Sequence, residues 1–440
     1  TQVAGRRQRQ TCIRDSCYVF HSAHGWLGSA MDGDDQRTRP AHRSPTAAVY
    51  RAETTRLRAY QQSLILVDMY AKEFNLSRDI CHLNHAAVGP WPKRTIEAVR
   101  RFAEENGKFG SQLFDRWLKT EQSLLEQLQF LVNARNSSEI ALLKNTSEAL
   151  SVIAYGIDWK QGDEVVISNQ EFPSNRIVWE SLGSMGVKTI EADIGQVDSP
   201  EQAVIAAMTD HTRLVSISSV QYGTGLALDL ETIGAACRAA DVAFCVDAIQ
   251  SIGVKPLDVQ ACHADFVVAD GHKWMLGPEG LALFYCREEW ISRLALKQYG
   301  WHMVEALGDY DRRSWQAASS ARRFECGSPN MLGIHALHAS VGLLIEVGLQ
   351  EIYKKVSSNV SYLIDILLEH GFIIISETAA ERRAGILTFR HPETSNETLY
   401  SHLQQHGVIC ALRGGGVRFS PHFYTGRNIL DRAVTLATEA

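Results

Sequence analysis

Seven short runs rich in apolar and β-branched residues, separated by stretches of helical periodicity, constrain this 440-residue chain more than any other feature. They read EIALL (139–143), EVVIS (164–168), KTIEA (188–192), RLVSISSV (213–220), VAFCVDA (242–248), DFVVAD (265–270) and LALFYC (281–286). Several are apolar without alternation, as strands covered on both faces should be. Strands alternating with helices predict an α/β fold around a mostly parallel, doubly wound sheet. A helical pattern from Thr95 to Leu131 precedes them, with Ile96, Val99 and Phe102 and later Leu124, Leu128 and Leu131 at helical spacing. After them come long helices from about Asn330 to His370, a GILTF strand, a helix near Thr398–His406, a VICAL strand and a last helix from about Arg427. Gly414, Gly415 and Gly416 permit a tight turn after VICAL.

In open parallel sheets the ligand lies beyond the carboxyl ends of the strands, so the residues just after each run matter most. After EIALL, Thr146 and Ser147 sit where a helix should begin; this is either a plain N-cap or an anion site of free N–H groups and hydroxyls. After VAFCV stands Asp247, and then Gln250. A carboxylate there either caps the next turn in water or, if buried, needs something positive to meet it. After DFVVA comes Asp270-Gly271-His272-Lys273-Trp274, a lysine between an apolar strand and the Gly/Pro-rich MLGPEG turn. An anion cradle, a strand-end carboxylate and a strand-end lysine are together what pyridoxal phosphate (PLP) requires. The lysine holds the aldehyde as a Schiff base, the carboxylate keeps the pyridine nitrogen protonated, and the helix start holds the phosphate.

The first stretch differs. Residues 1–68 are rich in Arg, Gln, Ser, Thr and His without sustained apolar periodicity, and read as a poorly ordered extension. Met31 and Met69 are both possible native starts. Arg6-Arg7 lacks the apolar run of a twin-arginine signal, and an Arg-rich, acid-poor start also has the composition of a transit peptide. Cys12, Cys17, His21 and His24 form C-x4-C-x3-H-x2-H, but these are not the intervals of a common zinc module, so chance is the preferred reading and no metal is expected. A net charge of -6 gives no reason to expect a nucleic-acid partner, and no apolar run approaches a membrane span. The 9 cysteines lack framework spacing, which fits reduced thiols and a cytoplasmic protein.

From roughly Leu83 to the C-terminus the sequence resembles the class V aminotransferases, the fold-type-I group that includes cysteine desulfurases, selenocysteine lyases, kynureninases and isopenicillin N epimerases. The most specific motif is VDAIQSIGVKPLDV followed by ADFVVADGHKWMLGPEG, joined by LNHAAVGP, FECGSPN (324–330) and GGGVRFSPHFYT (414–425). The resemblance implies a fold-type-I PLP-dependent transferase with a large domain over 69–325, built on a mostly parallel seven-stranded sheet, and a smaller C-terminal α/β domain over 326–440. The first part of the large domain is open to packing on the small one. The resemblance makes Lys273 the Schiff-base lysine, Asp247 the partner of the pyridine nitrogen and Gln250 a partner of the ring hydroxyl. Thr146, Ser147 and His272 become contacts of the phosphate or of the lysine side of the cofactor. Ser328 stands where relatives reach the neighbouring subunit's phosphate, which implies a homodimer with shared sites. Arg418 matches the clamp on the substrate carboxylate. His85, Tyr222 and His302 are candidates for the side-chain pocket.

Three departures bear on the reaction. Phe172 stands where desulfurases carry a histidine over the ring; a phenyl ring stacks but cannot transfer protons. Desulfurases also need a nucleophilic cysteine on a mobile loop, whereas Cys410 lies in an apolar run only eight positions before Arg418 and reads as a core residue; Cys326 is taken as structural. Asp270 stands where several relatives place a phosphate-binding serine, and its role is left open. The expected activity is transamination or lyase chemistry on a small amino acid, with desulfuration of cysteine or selenocysteine as the alternative. A PLP-binding module without catalysis is the reading from another class. A nicotinamide oxidoreductase is weakened by the missing glycine fingerprint.

Overall fold

The computed structural model describes residues 69–195 and 197–440. The Cys12, Cys17, His21 and His24 spacing and the extension over 1–68 lie outside these residues. In chain order the elements are β1 (Cys81–His82), α1 (Lys93–Phe109), α2 (Phe114–Val132), β2 (Ile140–Leu143), α3 (Thr146–Gly156), β3 (Glu164–Ser168), α4 (Ser174–Glu180), β4 (Lys188–Ala192) and α5 (Pro200–Ala206). There follow β5 (Thr212–Ser218), α6 (Leu230–Ala239), β6 (Ala243–Asp247), β7 (Phe266–Asp270), β8 (Ala282–Cys286) and α7 (Glu288–Ile291). The C-terminal part holds α8 (Met331–Val347), α9 (Leu349–Glu369), β9 (Ile373–Ile374), β10 (Leu387–Arg390), α10 (Asn396–Gln405), β11 (Val408–Ile409), β12 (Ala411–Arg413), β13 (Gly416–Phe419) and α11 (Arg427–Thr438).

All seven runs singled out in the sequence become strands of one sheet, in the order β2-β8-β7-β6-β5-β3-β4. It is parallel from β7 to β4, and β8 runs antiparallel to both β7 and β2. The central strands β3, β6, β7 and β8 are buried at every position, which explains their unbroken apolar character. β5 exposes Arg213, and the edge strand β4 is more open, with exposed Lys188 and Glu191.

Two expectations change. The single helical pattern over 95–131 is two helices, because Gly110 takes φ +57 at the end of α1 and a 3-10 turn (Gly110–Leu113) re-aims the chain. The VICAL run is two strands in two sheets. β11 pairs in parallel with β1, and past Cys410 the chain enters the sheet β12-β13-β10-β9. The first described strand thus belongs with C-terminal elements, and α8 packs on both α1 and α2. Gly414 and Gly415, both at positive φ, form the two-residue β12–β13 turn. Among the described residues no single helix is long and apolar enough to cross a membrane.

Candidate active site

The adjacent strands β6 and β7 end on Asp247 and Asp270, and Lys273 stands three residues beyond β7. The turn carrying the lysine is tightly held. Leu276, fully buried, takes φ +59 and donates its N–H to the Lys273 carbonyl at 3.2 Å. A left-handed leucine is costly and persists only where its surroundings fix it. Gly89 packs on the same carbonyl, where a Cβ would lie 2.3 Å from the oxygen, so only glycine fits.

Lys273 Nζ lies 5.6 Å from the centroid of the Phe172 ring, which meets Tyr222 edge-on at 5.2 Å. Burial pushes the Lys273 amine down from its ordinary value, opposed by the negative charge of Asp247 and reinforced by Arg418. The Asp247 carboxyl is pushed up, chiefly by burial, with the Ile249 N–H at 3.0 Å and Lys273 pulling the other way and Glu171 adding to the rise. An amine shifted toward neutrality beside a buried carboxylate is the pairing that nucleophilic lysine chemistry needs.

At the start of α3, Asn145 is the N-cap and accepts the Glu148 N–H at 2.9 Å. Thr146 is buried and Ser147 is exposed, with its hydroxyl on Ser174 at 2.9 Å. Asp270 finds its role here. Its Oδ2 accepts the Thr146 N–H at 3.3 Å, while its own N–H donates to Thr146 Oγ1 at 3.2 Å. Its Oδ1 faces His272 Nδ1 at 3.6 Å, and both atoms are buried without a hydrogen bond.

Arg418, on β13, is 3% exposed and has no carboxylate within ion-pairing distance among the described residues. Its Nη1 donates to the Tyr222 carbonyl at 2.7 Å and Nη2 to Asn84 Oδ1 at 3.5 Å, while Nε is buried without a partner. Burial, aided by the charge of Arg413, pulls its pKa down to about 10. A buried guanidinium in this state is prepared for an anion from outside the chain. The hairpin holding it abuts the Tyr222 loop through glycines, since a Cβ on Gly414 would lie 2.3 Å from the Gly223 carbonyl.

Other candidates lie differently. His85 is fully buried, with Nδ1 on the Ser420 carbonyl at 2.8 Å and Nε2 on the Tyr424 hydroxyl at 2.6 Å, so it packs inward with both ring nitrogens engaged. Gln250 accepts from Trp274 Nε1 at 2.8 Å and donates to the Ala86 carbonyl at 3.0 Å, which leaves one amide hydrogen for a ligand. His302 packs beside Glu325, and Ser328 is exposed in the loop before α8. Cys410 is 3% exposed, and burial pushes its thiol up to about 12; Cys326 is half-buried, with its thiol on Gln298. Sequence reasoning missed Glu171 and Asn84. Glu171 is a buried hub that accepts from Ser168 Oγ, Asn175 Nδ2 and the Ser218 N–H at 2.8, 2.8 and 2.9 Å and so fixes the loop bearing Phe172. Its signal was its place just past the end of β3, directly before Phe172.

These residues suit PLP. The partnerless Arg418 Nε can meet a carboxylate, the α3 start retains hydroxyls for a phosphate, and Lys273, Asp247 and Phe172 converge at the strand ends. Comparison with known proteins agrees. The aminotransferase class-V family model matches residues 81–422. A probable cysteine desulfurase of Methanothermobacter thermautotrophicus is 31% identical over 289 residues, 64% of this chain and 71% of that protein. One from Pyrococcus abyssi is 27% identical over 379 residues, covering 80% and 92% of the two chains. The fold matches the apo cysteine desulfurase of Thermococcus onnurineus NA1 with a TM-score of 0.75, at 24% identity and over 84% of this chain and 96% of the other. It also matches the cystine C–S lyase C-DES bound to its product cysteine persulfide, with a TM-score of 0.76 at 21% identity over 82% and 98%. With a family match across most of its length and the lysine, carboxylate and arginine gathered at the strand ends, this chain belongs to the aminotransferase class-V family of PLP-dependent enzymes.

Proposed function

We propose that this enzyme acts on a small L-amino acid and carries out lyase-type removal of the β-substituent, with Lys273 as the cofactor-holding and proton-moving residue. The observation that carries this reading is the convergence of Lys273, Asp247 and Phe172 at the strand ends with the buried Arg418, which has no carboxylate partner and a free Nε. PLP, when bound, supplies the electron sink that lets a bond at the amino acid Cα break.

Arg418 offers its fork to the substrate carboxylate and thereby orients the Cα over Lys273. The Lys273 amine, lowered by burial, takes the Cα proton and can return it. Asp247, held at the β6 end, offers its carboxylate to the ring nitrogen. Thr146, Ser147 and His272 line the phosphate side, with one Gln250 amide hydrogen for the ring hydroxyl. Phe172 covers the ring face and, lacking an ionisable group, leaves proton transfer to Lys273. Ser328, exposed before α8, is offered to the partner subunit's cofactor, so the active form is a homodimer. The division into a large domain over 69–325 and a closing domain over 326–440 and a cytoplasmic location complete the reading.

Desulfuration of cysteine or selenocysteine is the second reading, favoured by the names of the relatives. The buried, high-pKa Cys410 weighs against a relay of sulfur through that residue. Products from L-cysteine decide between them. Elimination with water yields pyruvate, ammonia and sulfide; desulfuration passes the sulfur atom to an acceptor thiol, yielding alanine and that thiol's persulfide. Pyruvate with free sulfide supports the lyase, and alanine without pyruvate overturns it. A wild type that stays colourless with added PLP overturns the enzyme reading altogether.

A further inference from the structure

Away from Lys273, three ligand-bearing side chains from distant parts of the chain meet. Glu121 comes from α2, His302 from the segment between α7 and α8, and Glu325 from the residue after the 3-10 turn Ala321–Phe324. One ligand atom from each lies within 4.8 Å of the others. All three are buried, at 9%, 4% and 9% exposure. His302 Nδ1 points at Glu325 Oε2 from 3.5 Å, yet it makes no hydrogen bond. The other Glu325 oxygen accepts the Leu142 N–H at 2.8 Å and orients the carboxylate. The His302 segment is pressed flat against the Glu325 segment, since a Cβ on Gly300 would lie 2.1 Å from the Cys326 carbonyl.

Two buried carboxylates are expensive unless positive charge meets them. Among the described residues Arg322 is the one cation acting on both, and its Nη1 also donates to the His302 carbonyl. Burial pushes both carboxyls up, Glu325 to about 8, so one guanidinium does not fully compensate them, and His302 Nδ1 faces Glu325 without a hydrogen bond. We propose that Glu121, His302 and Glu325 bind a divalent transition metal of the zinc type. One imidazole nitrogen and two carboxylate oxygens match zinc's preferences, with a coordination position left over. The Leu142 N–H on Glu325 is the outer contact that such sites use to fix a ligand. The metal would clamp α2 and the 299–326 segment onto β2, the strand that leads into the Thr146 helix. This inference does not depend on the amino-acid chemistry at Lys273.

The test uses the full-length chain carrying Cys12→Ser and Cys17→Ser, which removes the thiols of the N-terminal Cys/His spacing. The protein is stripped with EDTA, dialysed against Zn2+ and then against metal-free buffer, and its zinc is counted by mass spectrometry. One zinc per chain, lost in both His302→Gln and Glu325→Gln while circular dichroism stays unchanged, is the expected result. If Glu325→Gln fails to fold, Glu121→Gln gives the same reading from the α2 side. No retained zinc in the parent, or zinc retained in every folded variant, overturns the site.

Discussion

Asp270 and Thr146 hold each other by two reciprocal hydrogen bonds: the Thr146 N–H reaches Asp270 Oδ2 at 3.3 Å, and the Asp270 N–H reaches Thr146 Oγ1 at 3.2 Å. This pair ties the strand leading to Lys273 to the helix start proposed for the phosphate. It also explains how an anion can stand beside a phosphate site. One oxygen of Asp270 is engaged by a backbone donor, and the other faces His272, which can screen it.

Lys273→Ala is expected to abolish the visible absorbance of bound cofactor and to lower turnover by about three orders of magnitude or more. Absorbance spectra of the purified variant check this. An unchanged band would place the cofactor on another lysine.

Arg418→Met separates binding from stability. Losing the carboxylate clamp should raise KM for the amino acid roughly thirtyfold, about 2 kcal/mol of charge-assisted hydrogen bonding. Removing a buried guanidinium without a carboxylate partner should leave thermal stability unchanged or raise it by about 1 kcal/mol. Steady-state kinetics and a melting curve on the same sample check both directions. A KM that does not move would sink the clamp.

Cys410→Ala should leave product formation from L-cysteine intact and cost about 1 kcal/mol of stability through the small cavity it leaves. The thiol is buried and held protonated, with a pKa pushed up to about 12, so it cannot accept sulfur as a thiolate near neutral pH. Loss of turnover in a well-folded variant would restore the sulfur relay.

Acid sensitivity should come from His85 and His422, packed on Trp274, and from His82 beside His85. Burial holds His422 down to about 3 and His82 down to about 4, and holds His85 well below its ordinary value. Folded-state values below the unfolded one mean that the unfolded chain binds more protons. The stability these groups allow is present above pH 6.5 and is lost as pH falls from there toward the folded values. Unfolding at pH 5 should therefore take up about three protons from this cluster. Urea midpoints measured between pH 7 and 5 test it, and His422→Asn should flatten the dependence by about one proton.

Gly89→Ala should weaken cofactor retention, because the added Cβ would collide with the Lys273 carbonyl 2.3 Å away and displace the lysine turn. Spectral titration with PLP checks this. Binding as tight as in the wild type would show that the turn can shift without cost.

Much of this molecule was legible in one dimension. Strand existence and type follow from local apolar runs, and the ligand edge follows from parallel topology, so Asp247 and Lys273 could be placed just beyond VAFCV and DFVVA. Side-chain direction and pairing depend on contacts between segments far apart in the chain, which no local pattern encodes. Nothing in LNHAAVGP told that His85 would turn inward onto Tyr424 while its neighbour Asn84 faced Arg418. Nor did VICAL announce that the chain would change sheets at Cys410, because β11 and β12 are separated only by which partner strand each meets. The residue types and spacings determined the chemistry this chain can carry. Tertiary packing decided which ionisable groups were buried without full charge compensation, as at Arg418 and around His302, because burial and compensation exist only once distant segments have met.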